Sequence, residues 1–201
     1  MTASPSYKND QTQVEKIRGL KSIDGLKDKA KLHLVGSQGQ IQVHMTSYRG
    51  TFPVVLSEAL RAAGLGSEVL IAQFLKGGVR QGPNEGVELC GRLKWIRPNL
   101  SFCVRQKELP INQESIEFLK AKQAIIEIWK VCKDRLLKNN MQKIVLDEIG
   151  LAIQLGFLEE EELISALEER LGSVDVILTG PSIPPKVIAM ADQVTELRCT
   201  K

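Results

Sequence analysis

Short apolar segments that alternate with helical patterns are the feature that most constrains how this chain of 201 residues can fold. Residues 69–74, 143–146 and 174–178 are largely apolar and have the length of strands. Runs of this kind are typical of strands that are buried on both faces of a sheet. Because helical patterns separate them, we expect an α/β fold in which helices flank a mostly parallel sheet.

Further elements are predicted around these strands. Pro53 begins a helix that ends at glycines in residues 64–66, since proline suits the first helical turn and glycine commonly follows the last. Trp129 lies on the apolar face of the longest helix and is expected in the core. The other predicted elements are strands at 32–35, 41–47, 87–90, 100–104 and 193–197 and helices at 113–138, 159–171 and 184–191.

Residues 1–31 are predicted to be distinct from the domain that follows them. Residues 1–10 are polar, and apolar residues recur at every third position between residues 14 and 26. This spacing indicates a polar tail followed by an amphipathic helical segment. Residues 32–201 are expected to form the α/β domain, with its first two strands joined as a hairpin.

The composition excludes several classes of function. The formal net charge is only +3 and aromatic residues make up 4% of the chain, which argues against nucleic acid as a partner. The four cysteines form no close pair, so we expect reduced, mostly buried thiols and no zinc site. No apolar run is long enough to cross a bilayer, and residues 1–11 lack the apolar stretch of a secretory signal. A cytoplasmic protein without a membrane span is expected.

Polar residues follow three of the predicted strands at their carboxyl ends, where sheets of this type bind ligands. They are residues 46–51, Asp147-Glu148 and Thr179-Gly180. The first group lies directly before a helix, whose free amide groups would face a bound anion. This is the place of a phosphate-binding loop, so the sequence predicts a P-loop type of domain.

The residues of this loop are not those that phosphate chemistry requires. A working loop needs several glycines, a lysine that reaches the terminal phosphates, and a Ser or Thr hydroxyl for magnesium. Here Gly50 is followed by Thr51, Phe52 and Pro53. Phe52 has no oxygen with which to ligate magnesium, and Pro53 removes an amide donor. We expect the loop geometry to persist and its phosphate chemistry to be lost.

Asp147 and Glu148 end an apolar strand in the manner of a Walker B element, whose carboxylate holds magnesium directly or through water. Acidic residues also end many strands as solubilising caps. Without the loop hydroxyl, the affinity of this pair for a metal should fall.

Several segments, taken in order, resemble the ATP:corrinoid adenosyltransferase family, whose members put an adenosyl group on cob(I)alamin or its precursors. The resemblance extends from about residue 41 to the end of the chain. It implies a P-loop fold, a homodimer, and ATP, magnesium and a corrinoid as ligands if the family activity persists. The segments that carry it are LRAAGLG at 60–66, VLIAQFLKG at 69–77, IVLDEI at 144–149, LGFL at 155–158, VILTG at 176–180 and ADQVTEL at 191–197.

The chain departs from this family at four places. The family loop ends in Gly-Lys-Thr-Thr, whereas the aligned residues here are 50–53, with the sequence GTFP. Pro181 replaces the arginine that usually follows Thr-Gly, and residues 82–86 blur an acidic motif that contains asparagine. The C-terminal extension of the family is not found after Lys201. These departures indicate a retained fold whose reaction has been discarded.

The resemblance implies a relic nucleotide site and a metal-binding pair. Arg49 either stands in for the missing lysine or is a solvated loop residue. Gln73, Lys76 and Gly77 either contact a ligand or lie in a solvated turn. No catalytic residue is assigned. The nucleotide-binding set is Thr46, Ser47, Arg49, Gly50, Thr51, Gln73, Lys76, Thr179 and Gly180, and the metal-binding pair is Asp147 and Glu148.

Four further residues are functional candidates. Trp95 and Arg97, placed in a long loop region, either contact a partner or pack under their own loop, since both residue types are enriched in interface hot spots. His33 and His44 lie on predicted strands with no evident carboxylate or cysteine partner, so structural roles are expected.

Three functions follow from these features. The first is a non-catalytic relative of corrinoid adenosyltransferases that acts as a binding or regulatory module, self-associates and contacts a protein partner. The second is an active ATP:cob(I)alamin adenosyltransferase with altered nucleotide binding. The third is a nucleic-acid adaptor that uses the basic stretches at residues 16–31 and 133–143, against which the near-neutral net charge argues.

Overall fold

The structure, a computed structural model, describes residues 38–50, 53–78, 82–105, 115–138 and 140–198. The predicted N-terminal tail, helical segment and first strand therefore lie outside the described residues. The strands are β1 (Ile41–Thr46), β2 (Val69–Gln73), β3 (Val87–Leu89), β4 (Leu93–Ile96), β5 (Lys143–Asp147), β6 (Asp175–Gly180) and β7 (Gln193–Leu197). The helices are α1 (Pro53–Gly64), α2 (Ile116–Leu137), α3 (Ile149–Gln154), α4 (Glu160–Glu168) and α5 (Pro185–Met190).

The strands form one sheet in the order β3-β4-β2-β5-β6-β1-β7. Strand β3 runs antiparallel to β4, and the other neighbouring pairs are parallel. The predicted α/β fold with a mostly parallel sheet is confirmed. Since parallel strands end at the same edge, β2, β4, β5, β6 and β1 bring their carboxyl ends together there.

The sheet is covered on both faces, which explains why its central strands are almost wholly apolar. Every residue of β2 and β5 is buried. On one face, Val69 and Ile71 pack with Val55 and Ala59 of α1. On the other, Leu70 and Ala72 join the larger core that α2, α3, α4 and α5 contribute to. Successive side chains of a strand point to opposite faces of the sheet, so they are divided between two separate apolar layers.

Of the two longest helices, α1 begins where its sequence predicts and α2 does not. Pro53 is the first residue of α1, and Gly66 follows its end with a φ of +103°. Helix α2 begins three residues later than predicted, because the Ser115 side chain caps it by accepting a hydrogen bond of 3.2 Å from the Phe118 amide. Trp129 is buried on α2, as predicted.

The predictions around Trp95 are partly wrong. Trp95 lies on strand β4, where it pairs with Val87 of β3 and Ile71 of β2. Strands β3 and β4 are joined by a tight turn in which Cys90 and Gly91 have positive φ angles of 54° and 69°. A turn with two such residues matches the twist of a hairpin, and the sequence prediction overlooked it.

Residues 100–104 do not form the predicted strand. Their backbone instead bonds to the segment that follows β2, with the Gly78 amide donating to the Leu100 carbonyl and the Val104 amide donating to the Leu75 carbonyl. Gly77 makes this approach feasible, because a Cβ there would lie 2.2 Å from the Phe102 carbonyl oxygen. The segment is thus a loop laid against the end of β2.

Helix α3 was not predicted, since six residues are too few to show a clear helical period. It packs closely on the loop after β6. A Cβ on Gly150 would come within 2.5 Å of the Ser182 carbonyl oxygen, so glycine is required for this contact.

Three compositional expectations can be compared with the structure. Buried thiols are found for Cys132, but Cys90 and Cys103 are exposed because they lie in the β3–β4 turn and in the loop after β4. The basic stretch at 133–143 is not a uniform cationic surface, since Lys143 is buried and its ammonium donates to Glu58 at 2.5 Å. In the described ranges, no helix combines the length and the apolar character needed to cross a membrane.

Candidate functional site

Polar side chains from three neighbouring strands meet at the carboxyl edge of the sheet. Gln73 at the end of β2 is in register with Asp147 at the end of β5, and Asp147 is in register with Thr179 of β6. All three residues are buried. Buried polar groups at matched positions require partners in one another, and they have them here.

Asp147 is the centre of this group. One carboxylate oxygen, Oδ1, accepts a hydrogen bond of 2.6 Å from the Thr179 hydroxyl. The other, Oδ2, accepts from the Gln73 amide at 2.7 Å and from the Lys76 ammonium at 2.9 Å. The aspartate is therefore held by three donors, one of which carries a positive charge.

Arg97 fixes the orientation of Gln73. Its Nε donates to the Gln73 Oε1 atom at 2.9 Å, which leaves the Gln73 NH₂ group facing Asp147. The Arg97 guanidinium also lies 5.3 Å from the centre of the Trp95 ring, a distance at which cation and ring attract each other. Trp95 and Arg97 thus belong to the support of this site.

Glu148, the next residue after Asp147, is bound by Arg49 of the loop after β1. Nε and one terminal nitrogen of Arg49 donate to the two Glu148 oxygens at 2.9 and 2.6 Å. The Glu148 side chain is only 1% exposed. A bidentate contact of this geometry is among the stronger polar interactions available to side chains.

The backbone at Glu148 is left-handed, with φ 62° and ψ 25°. This conformation is costly for a residue other than glycine and persists only where its surroundings hold it. Here the Glu148 amide donates to the Thr179 carbonyl at 2.8 Å, while Arg49 holds the side chain. Gly180 lies beside it, since a Cβ at that position would be 3.1 Å from the Glu148 Cα.

Arg49 also joins two loops of the site. Its remaining terminal nitrogen donates to the Val104 carbonyl, in the loop laid against the end of β2. Hydrogen bonding to the Glu148 carboxylate raises the pKa of the Arg49 guanidinium, so the arginine stays charged. The guanidinium is thus directed toward protein acceptors on two sides.

The other residues of the predicted nucleotide set have separate environments. Thr46 is buried, and its hydroxyl accepts a long hydrogen bond of 3.4 Å from the Tyr48 amide. Ser47 is exposed and Gly50 is half-buried. Thr51 lies outside the described residues. The structure therefore groups Arg49, Gln73, Lys76, Asp147, Glu148, Thr179 and Gly180.

Two members of the site, Arg97 and the Val104 carbonyl, are not predicted from the sequence. Arg97 was treated as a surface candidate because its strand was misplaced, yet it directly follows the carboxyl end of β4. The Val104 carbonyl belongs to a segment that was predicted to be a strand. Correct strand boundaries would have placed Arg97 at the ligand-binding edge.

Outside this group of residues, the surface has an open groove of about 740 Å³. It is formed by the loop after β4 and the first turns of α2. Three of its apolar side chains are well exposed, at 46% for Phe102, 66% for Ile116 and 53% for Leu119. Clustered exposed apolar side chains are uncommon on a protein without a binding partner.

The chemistry of the site is dominated by internal pairing of charges. Two buried carboxylates, Asp147 and Glu148, are matched by Lys76 and Arg49. In the part of the chain that the structure describes, no group of three or more His, Cys, Asp or Glu side chains is placed to hold a metal ion.

Comparison with known proteins agrees with this arrangement of segments. The family model described as ATP:corrinoid adenosyltransferase BtuR/CobO/CobP matches residues 37–201. The corrinoid adenosyltransferase of Escherichia coli K12 is 29% identical over 164 residues, which cover 82% of this chain and 79% of that protein. Corrinoid adenosyltransferase CobA of Salmonella typhimurium is 29% identical over 179 residues, covering 88% and 86% of the two chains.

A third relative, the corrinoid adenosyltransferase of Pseudomonas aeruginosa, is 26% identical over 166 residues, or 82% of this chain and 77% of that protein. Residues 37–201, which the family model matches, contain the whole sheet and each residue of the site. The chain therefore belongs to the ATP:corrinoid adenosyltransferase BtuR/CobO/CobP family.

Proposed function

We propose that this chain is a non-catalytic member of the family that acts as a binding or regulatory module. The observation that carries the proposal is the position of Arg49. Arg49 directly precedes Gly50 of the altered phosphate loop, and its guanidinium is bound to the Glu148 carboxylate and the Val104 carbonyl. An arginine held in this way is not presented to a phosphate.

The loop sequence supports the same conclusion. Where the family resemblance implies Gly-Lys-Thr-Thr, this chain has the sequence GTFP at residues 50–53. It therefore lacks both the lysine and the magnesium hydroxyl that a working loop uses. To bind a triphosphate, Arg49 would have to leave Glu148 buried without its partner, which is costly for a desolvated carboxylate.

The open groove between the loop after β4 and helix α2 supports a role in binding. Phe102, Ile116 and Leu119 remain exposed along this groove, whereas the charged groups of the site are paired internally. We further propose that the chain self-associates, as the family resemblance implies. Sedimentation velocity of the full chain tests this, and a single monomeric species at micromolar concentration would contradict it.

Adenosyl transfer is the test of the proposed function. The full chain, the Thr51→Ala variant and the E. coli corrinoid adenosyltransferase are each given magnesium-ATP and cob(I)alamin under reducing conditions. The visible spectrum reports formation of adenosylcobalamin. We expect conversion by the E. coli protein alone, with the full chain at the level of Thr51→Ala. Turnover by the full chain above that level would contradict the proposal.

One observation favours a second function, an adenosyltransferase with altered nucleotide binding. Gln73, Lys76, Asp147 and Thr179 remain assembled at the edge where the family binds its nucleotide. This alternative requires a corrinoid to bind. Titration of the chain with a corrinoid separates the cases, because an unchanged visible spectrum would eliminate the enzyme.

A further inference from the structure

The family resemblance places magnesium at the acidic end of β5, so the donor set there can be tested for its fit to a divalent cation. Mg²⁺ requires near-octahedral coordination by oxygen atoms at roughly 2.0–2.1 Å. The four carboxylate oxygens of Asp147 and Glu148 each accept a hydrogen bond from a protein donor. A metal would have to displace these donors or share each oxygen with one of them.

The charges at this position oppose a metal as well. The Lys76 ammonium is 2.9 Å from Asp147 Oδ2, and the Arg49 guanidinium is 2.6 Å from Glu148 Oε2. Both carboxylates are shielded from water, with 6% and 1% of their side chains exposed. Because these two positive groups already neutralise the two carboxylates, the site offers an incoming dication no net attraction. The residues present do not fit magnesium.

We infer that Arg49 of the altered loop, together with Lys76 of a segment that resembles the family, takes the place of the divalent cation at this site. Together they supply two positive charges, the same number that Mg²⁺ would bring to the adjacent carboxylates. This inference rests on the proposed function, because it concerns the same site and explains how the fold tolerates the loss of the metal. The metal affinity can nevertheless be measured separately, in the absence of nucleotide and corrinoid.

The replacement has a consequence that an ordinary surface ion pair would not have. Removing both cations leaves two buried carboxylates without compensation, which should destabilise the fold. A divalent cation would then be able to coordinate the carboxylate oxygens that had accepted hydrogen bonds from Arg49 and Lys76. The double variant Arg49→Met/Lys76→Met should therefore acquire a metal site that the wild-type chain lacks.

The test uses Mn²⁺ alone, whose free concentration is read from its electron paramagnetic resonance signal. The wild-type chain is compared with the double variant and with a matched control that also carries Asp147→Asn and Glu148→Gln. The double variant should bind about one Mn²⁺ per chain, at least about tenfold more tightly than wild type, because the two charges that neutralise the carboxylates are gone. Mn²⁺ should also raise its melting temperature. The control should show neither effect.

Two results would overturn the inference. One is Mn²⁺ binding by the wild-type chain that Asp147→Asn abolishes. The other is a folded double variant with no gain in affinity. If the double variant does not fold, Lys76→Met alone decides between gain and no gain, because Lys76 is partly exposed and its loss leaves the Arg49–Glu148 pair intact. Adenosyl transfer by the wild-type chain would refute the proposed function without affecting these measurements.

Discussion

At the scale of single residues, the site depends on close approaches that allow no side chain. Gly180 has a φ of +112°, and a Cβ there would press against the backbone of Glu148. A Cβ added to Gly64, at the end of α1, would have no other atom within 4 Å. The two glycines can therefore be compared, because a Cβ would clash with its surroundings at Gly180 and would be tolerated at Gly64.

Gly180→Ala should lower the free energy of unfolding by about 1–3 kcal/mol, because it adds backbone strain and a steric contact. Gly64→Ala should raise it by about 0.5–1 kcal/mol, since alanine is the better helix former. Urea unfolding of the two variants measures both values. Equal effects at the two positions would show that the packing around Glu148 is not as tight as described.

His44 on β1 should make stability depend on pH. Burial lowers the pKa of its imidazole below the ordinary value of 6.5, and the nearby Glu58 charge opposes this effect in part. The unfolded chain therefore binds the proton more readily than the folded chain. The contribution to stability is complete above pH 6.5 and is lost as the pH falls through the lowered pKa.

The expected outcome is a free energy of unfolding that decreases between pH 7.5 and pH 5 and decreases less in His44→Gln. Urea titrations at a series of pH values provide the measurement. An identical pH dependence in the two proteins would assign the effect to other groups.

The sequence predicted which residues gather at the strand ends, for a clear physical reason, but not how all of them pair. Gln73, Asp147 and Thr179 each end a buried parallel strand, so the alignment of the carboxyl ends brings them together. The pairing of Arg49 with Glu148 could not be predicted. It depends on a left-handed backbone at a glutamate, which sequence patterns disfavour, and on the path of a loop.

At the scale of elements, helix α2 provides the main cover for one face of the sheet. Trp129 is buried, its indole nitrogen donates to Glu162 of the segment that includes α4 at 3.1 Å, and its ring lies 6.4 Å from that of Phe74. Leu119, two to three turns earlier, is 53% exposed. The same helix thus has a packed face and a face that lines the groove.

Trp129→Ala should cost about 3–5 kcal/mol of unfolding free energy, because it leaves a large cavity between α2, α4 and the sheet. Leu119→Ala should change stability by no more than about 0.5 kcal/mol. Thermal and urea unfolding provide the comparison. A cost at Leu119 equal to that at Trp129 would mean that the groove side of α2 is covered in the folded chain.

The elements differ in how well they could be predicted. Strands β2, β5 and β6 each contain a run of three or four consecutive apolar residues and are predicted with small errors at their ends. Strands β3 and β4 have three and four residues and owe their pairing to a turn. Helix α3 is fixed by contacts with the loop after β6, which are tertiary and leave little trace in the local pattern.

At the scale of the whole described domain, the fold of the family is retained while the charges at its ligand edge are paired within the protein. The sheet order places β2, β5 and β6 side by side, and their ends form the site. Arg49 and Lys76 stabilise the acidic pair from the protein itself. Under the proposed function, these pairs stabilise the scaffold in place of a nucleotide or a metal.

Calorimetric titration of the full chain with magnesium-ATP tests this central claim most directly, with Arg49→Met as the matched variant. We predict no heat of binding for the wild-type chain, because its loop cation is held by Glu148. Tight binding that is lost in Arg49→Met would show that the arginine leaves Glu148 to hold the triphosphate, and that result would contradict the account.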